Sequence, residues 1–167
     1  MQFRVSLSTV FRCSLERAFK TPMLCDISKV HTGFLVMPKV MRCTHDEGWG
    51  QPGSSKRVIG ARSLAFKGGE ASTDRVLERV ENKYWKIQVD EFRTWVLGFD
   101  KFVGEWQTTE LEPDSIRVDY TYTLHAKSPL LALPQWLFAR LFWPIYMKRV
   151  LENVRAMAYA NEPYLYE

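Results

Sequence analysis

Apolar and polar residues alternate from the first positions of the chain. Phe3, Val5, Leu7 and Thr9 fall on one side, and Arg4, Ser6 and Ser8 on the other. A period of two marks a strand with one buried face. Ser14 then offers a helix cap to LERAFK, with Glu16 in its first turn. Thr21-Pro22 predicts the start of a second short helix, since proline suits the first helical position. From Thr32 to Ala126 the pattern reads as strand throughout. FLVMPKVMRC, SKRVIGARS, STDRVLERVE, YWKIQVDEF, DKFVGEWQTTEL and SIRVDYTYTLHA are the candidates, each bounded by turn residues. In the last, Ile116, Val118, Tyr120, Tyr122 and Leu124 share one face, and Arg117, Asp119, Thr121, Thr123 and His125 the other. Pro113 and Asp114 between the last two strands predict a tight turn and therefore an antiparallel hairpin.

At the C-terminal end the period changes. Trp143, Met147, Val150, Leu151, Val154, Met157 and Ala158 fall on one helical stripe, with Lys148, Arg149, Glu152 and Arg155 largely off it. The preceding SPLLALPQWLFARLFWP is apolar nearly all round. A membrane span needs ~20 mostly apolar residues, whereas this run is interrupted by Pro129, Pro134, Pro144 and Arg140. It predicts a short buried or cavity-capping helix, kinked or broken at Pro144.

Composition narrows the class. A chain of 167 residues reads most simply as one domain, residues 1–167, with a core that needs no staples. Six Trp, seven Tyr and ten Phe make it rich in large rings, which line ligand cavities as well as fill cores. A net charge of +4, scattered among acids, gives no reason to expect nucleic acid, although weak contact with an anionic membrane surface stays open. Cys13, Cys25 and Cys43 are odd in number and form no C-x-x-C pair, which fits reduced thiols and a cytoplasmic location. The N-terminus lacks the apolar run of a signal peptide. No cofactor is expected, and oligomeric state is left open.

Gly48, Gly50 and Gly53 in EGWGQPGSSKR match the G-x-G-x-x-G spacing of dinucleotide loops. That chemistry needs a helix N-terminus at the last glycine, so that free amides face a pyrophosphate. Here SSKRVIGARS reads as a strand, and Pro52 removes an amide. A nucleotide site is not expected.

The order strand, two short helices, six strands and long C-terminal helix resembles the START-like superfamily, also called helix-grip or SRPBCC. It includes pollen-allergen-type and polyketide cyclase/dehydrase-type proteins, and the resemblance covers essentially the whole chain. It implies an α+β fold in which a curved antiparallel sheet of about seven strands wraps the C-terminal helix around a hydrophobic cavity. It also implies that the glycine loop, with Gly48, Trp49, Gly50 and Gly53, is a rigid turn at the cavity mouth. HTGFLVMPKV and VGEWQTTEL are weaker points of similarity.

Candidate chemistry is sparse. Cys43, His45, Asp46 and Glu47 look like ligands but lack metal-site spacing, so no metal is expected. No G-x-S-x-G or other nucleophile motif occurs. His125, opposite the tyrosines, is expected at the surface. His31, beside Thr32-Gly33, reads as a buried hydrogen-bonded histidine or a cavity group. Arg62 and Glu105 either face solvent or orient a ligand as cavity acid and base. The predicted lining is Trp85, Ile87, Val89, Phe102, Trp106, Tyr120 and Tyr122 from strands, and Met147, Val150, Leu151 and Val154 from the helix. These residues either fill the space between sheet and helix or line a hollow there. Inward tyrosine hydroxyls, which want polar partners, favour the hollow.

Three functions follow. The first is binding or carriage of a small hydrophobic or aromatic molecule. The second is a cyclase- or dehydratase-like enzyme using cavity acid and base groups. The third is interaction with a partner or membrane surface through the apolar 130–143 segment. The question of catalysis stays open, with binding alone preferred.

Overall fold

The computed structural model describes residues 1–93 and 97–166. The chain opens with β1 (Gln2–Phe11), α1 (Leu15–Leu24) and α2 (Ile27–Val30). Six strands follow: β2 (Val40–Thr44), β3 (Ser55–Gly60), β4 (Gly69–Val80), β5 (Tyr84–Asp90), β6 (Phe99–Glu112) and β7 (Ser115–Ala126). A 3-10 turn (Pro129–Leu131), α3 (Ala132–Leu137), a π turn (Phe138–Phe142) and α4 (Trp143–Tyr159) complete the order.

All the strands form one antiparallel sheet in the order β1-β7-β6-β5-β4-β3-β2. β1 and β2 are consecutive in the chain yet occupy opposite edges, so α1 and α2 cross one face of the sheet between them. The expected α+β helix-grip arrangement is the one observed. α4 lies on the same side, and its stripe of Trp143, Met147, Val150, Leu151, Val154, Met157 and Ala158 is buried. That stripe forms one core with inward residues of the sheet, including Trp85, Phe102, Trp106, Ile116 and Leu124. Each such side chain contributes about 1.5–3 kcal/mol through burial.

β7 has the bounds its alternation predicts, and it forms the predicted hairpin with β6, closed at Glu112↔Ser115. His125, expected at the surface, is partly buried.

Two local expectations differ, and at Pro144 the helix is irregular without being broken. FLVMPKVMRC is a strand only in its second half. Phe34 and Met37 instead exchange backbone hydrogen bonds of 3.0 and 2.9 Å across a tight turn, with Leu35 at φ 51°. Pro22 does not start a second helix, because α1 runs through it and α2 begins at Ile27 under an Asp26 cap. An internal proline cannot donate to the carbonyl four residues back, here that of Ala18. The Trp106 indole N–H donates to that carbonyl at 3.1 Å. The helical path continues through Pro144, since the π turn before it lets Trp143 N–H reach Phe138 O and widens the coil where the ring enters.

The glycine loop runs into a strand, β3, and starts no helix. Gly50 has φ 99°, and a Cβ there would lie 2.8 Å from Leu24 Cδ2. Glycine is therefore required by both conformation and packing.

Candidate functional site

One end of the interior is filled and the other is hollow, and the register decides which is which. Trp85 on β5 stands opposite Trp106 on β6, and both point under α1. Trp85 donates its indole N–H to Phe19 O at 2.9 Å, as Trp106 does to Ala18 O. Trp49 from the glycine loop donates to Met23 O at 2.8 Å. Three indoles thus hold α1 down, and Phe19 stacks on Trp85 with ring centroids 5.1 Å apart.

Beyond this packed end lies a cavity of about 440 Å³. Its sheet wall is Val58, Ser72, Asp74, Ile87, Val89, Phe102 and Tyr122, and its helical wall is Phe138, Phe142, Trp143 and Tyr146. The Phe102 and Trp143 rings lie 4.9 Å apart, and Tyr122 meets Trp143 edge-on at 5.3 Å. Its entrance side carries Leu35, Val36, Met37, Pro38 and Ala65. A second recess, of about 40 Å³, has room for only a few water-sized molecules. His31, Asp74, Tyr122, Ile27 and Ile87 border both spaces, so they mark the junction of the two.

The junction is polar in an otherwise apolar interior. His31 Nδ1 and the Tyr146 hydroxyl share a hydrogen bond of 2.8 Å. Burial, aided by the Lys56 charge, lowers the His31 pKa to about 4, so the imidazole is neutral at pH 7. Burial raises Asp74 to about 6, partly offset by Lys56. Lys56 stands opposite Asp74 in the β3–β4 register, and burial lowers its pKa. Its ammonium sits 3.8 Å above the Trp49 ring, which compensates part of its lost hydration. The Tyr120 and Tyr122 rings meet edge-on with centroids 5.4 Å apart, and burial raises the pKa of both.

The predicted lining divides accordingly. Ile87, Val89, Phe102 and Tyr122 border the large cavity. Trp106, Tyr120, Val150 and Val154 border only the small recess. Trp85, Met147 and Leu151 border neither and are packed core, because the indole bonds to α1 close that end. His31 lies at the junction and is hydrogen-bonded to Tyr146, so both of its readings meet in one position.

The other polar candidates fall elsewhere. Glu105 borders the recess, but it is one residue out of phase with inward Gly104 and Trp106, and its carboxylate accepts from the Tyr84 hydroxyl at 2.6 Å. Arg62 is exposed and borders neither space. The glycine loop is not at the large cavity's mouth. Gly48, Gly50 and Gly53 border neither space, and Trp49 borders the recess, since its indole is drawn onto α1.

Sequence reasoning missed Asp74, Lys56, Ser72 and Tyr146. The period of two would have found the first three: Lys56 shares a face with Val58, and Ser72 and Asp74 share one with Val76. Among the described residues, no group of three or more His, Cys, Asp or Glu side chains could hold a metal ion. Chemically, the site offers an apolar shelf of rings, hydroxyl donors and one carboxyl group that exchanges its proton near neutrality.

The family described as polyketide cyclase / dehydrase and lipid transport matches residues 2–158. No curated protein matches the chain by sequence. Solved structures match it closely in shape. Ara h 8.0201 is 10% identical with a TM-score of 0.67, over 96% of this chain and 99% of that one. A Thalictrum flavum norcoclaurine synthase point mutant, in complex with a transition-state analogue, is 12% identical with a TM-score of 0.68, over 96% of each chain. The di-domain aromatase/cyclase StfQ from the steffimycin biosynthetic pathway is 12% identical with a TM-score of 0.69, over 96% of this chain and 52% of that one. At such identities the likeness is one of fold.

Proposed function

Because the chain belongs to the polyketide cyclase / dehydrase and lipid transport family, we propose that it reversibly binds one small, mostly apolar, ring-containing molecule in the large cavity. The observation that carries this is a space of about 440 Å³ walled by rings and aliphatic side chains with a single polar junction. Ligand pockets of ~300–1,000 Å³ share that plan, burial supplying affinity and a few polar groups supplying orientation. Asp74 and the Tyr122 and Tyr146 hydroxyls set the orientation. The body of the ligand lies along Phe102, Phe138 and Trp143.

Native mass spectrometry of the protein as purified, followed by denaturation, tests occupancy directly. An apolar fluorescent probe such as anilinonaphthalene sulfonate tests location. It should bind one per chain and be displaced by the Val89→Trp substitution, which fills the space from β5. Equal binding by both proteins would place the probe elsewhere and sink the proposal.

Asp74 favours a second reading, in which the bound molecule undergoes a proton transfer. A carboxyl group with a pKa of about 6 inside an apolar cavity is suited to general acid-base work near neutrality. On that reading, Asp74→Asn retains binding of the compound released from the purified protein but abolishes its conversion. Conversion that survives in Asp74→Asn would rule Asp74 out as the base.

A further inference from the structure

We propose that the protein docks onto anionic phospholipid bilayers, using a rim made of the 34–37 turn, the 63–66 turn and the outer face of the 129–145 helical segment. This goes beyond the cavity reading and does not rest on the cavity being occupied.

The first observation is an exposed apolar surface. Leu64 is 95% exposed, Leu130 91% and Leu35 68%. Leu133, Trp136 and Leu141 on the helical segment are also exposed. Scattered exposed leucines need no explanation, but several gathered at one place do. The two turns touch, Ser63 Oγ donating to Val36 O at 3.5 Å. The first turn also meets the helical segment, with the Phe34 and Phe142 rings 5.4 Å apart. Leu35, Val36, Ala65, Phe138 and Phe142 all border the large cavity, so the rim surrounds its entrance.

The second observation is the distribution of charge, which identifies the occupant. Residues 27–45, 48–69 and 120–151 contain no Asp or Glu, and carry three, four and four Lys or Arg, eleven in all. The rest of the chain holds the other twelve cations and all nineteen acids, a net of −7. A modest overall +4 therefore conceals a division along the chain; of the eleven, Lys56 is buried and Lys29, Arg57 and Lys127 are paired with acids, while Lys39, Arg62, Lys67 and Arg140 lie at or beside the rim. Arg62 and Lys67 flank Leu64, Lys39 follows the first turn, and Arg140 adjoins Leu141, all of them exposed. The nearby acids Glu70 and Asp100 are paired with Arg57 at 3.0 Å and Lys127 at 3.8 Å.

Exposed leucines and a tryptophan interleaved with cations suit the boundary between headgroups and acyl chains, where apolar tips insert and Lys or Arg meets lipid phosphate. A second copy of the chain fits this face poorly, because two such rims would bring like charges together. Docking there would hold the cavity entrance against the bilayer.

The test is co-sedimentation with vesicles of phosphatidylcholine alone and of phosphatidylcholine mixed with phosphatidylglycerol, over a range of salt. Binding should be on the order of ten-fold tighter or more to the anionic vesicles and should weaken as salt rises. Leu64→Ser with Leu130→Ser should lower it by a similar factor, as should Arg62→Glu with Lys67→Glu. None of these four residues borders the cavity, so probe binding and melting temperature should stay as in the parent. Equal partition onto both kinds of vesicle would overturn the proposal. So would variants that sediment like the parent, or a dimer that both pairs of substitutions dissociate.

Discussion

Asp74 and His31 are pushed in opposite directions by the same burial, and the signs matter. Asp74 rises from 3.8 to about 6, so its contribution to stability is fully present below pH 4 and is lost as pH rises through 6. His31 falls from 6.5 to about 4, so its contribution is present above pH 6.5 and is lost as pH falls through 4. Between those values the two slopes oppose each other. Asp74→Asn removes one of them. Relative to the parent, that variant should gain about 2–3 kcal/mol between pH 4 and pH 7, at ~1.4 kcal/mol per pKa unit. Denaturant unfolding at a series of pH values would show it, and parallel pH profiles would mean that Asp74 is not enclosed. Gly104 presents a different single-residue constraint. A Cβ there would come within 2.9 Å of the Tyr122 ring and 3.1 Å of Ile87. Gly104→Ala should cost about 1–3 kcal/mol by overpacking and weaken probe binding by displacing Tyr122, as melting curves and titration would report.

α1 shows how an element departs from its local signals. A proline at its eighth position would ordinarily end or kink it, yet the helix continues because the Trp106 N–H takes the carbonyl that Pro22 cannot serve. Trp106→Phe keeps most of the ring and deletes the donor, leaving the Ala18 carbonyl buried and unpaired. The loss expected from that bond is about 1–3 kcal/mol. In a Pro22→Ala background the helix can supply its own N–H, so the same change should cost less. A double-mutant cycle would read the difference, and strictly additive effects would refute the exchange of partners. The 129–159 path follows a similar rule, with a π turn making room for Pro144, where the proline predicted a kink or a break.

At the scale of the whole molecule, the helical segment before α4 is both cavity wall and outer surface. Phe138 and Phe142 face the cavity, while Leu133, Trp136 and Leu141 face out. Its tie to the entrance turn is Phe34, which packs on Phe142 and lies beneath the Arg149 guanidinium at 5.0 Å. Phe34→Ala should loosen the entrance more than the binding site. Probe association and release should both speed up, with the dissociation constant changing less than about threefold. Stopped-flow fluorescence would separate this from a loss of affinity alone.

Periodicity and turn chemistry were enough for the succession of strands and helices along the chain, the α4 stripe and the strand that follows the glycine loop, because these depend on neighbours a few residues apart, whereas the α+β class came with the family resemblance. β7 was legible to its ends since every second residue is apolar. The position of the hollow was not legible. It depends on Trp85 meeting Trp106 across two strands and on indoles reaching carbonyls of a distant helix, which close one end and leave the other open. Asp74 and Lys56 were overlooked for a different reason. Polar residues in a strand pattern read as outward-facing, although the period of two sets Lys56 on the face of Val58 and Asp74 on that of Val76. The amino-acid order by itself determined most of the strands and the long C-terminal helix, whose patterns are local. The tertiary structure decided which buried residues fill space and which surround it, because a cavity is a property of long-range packing and has no period in the chain.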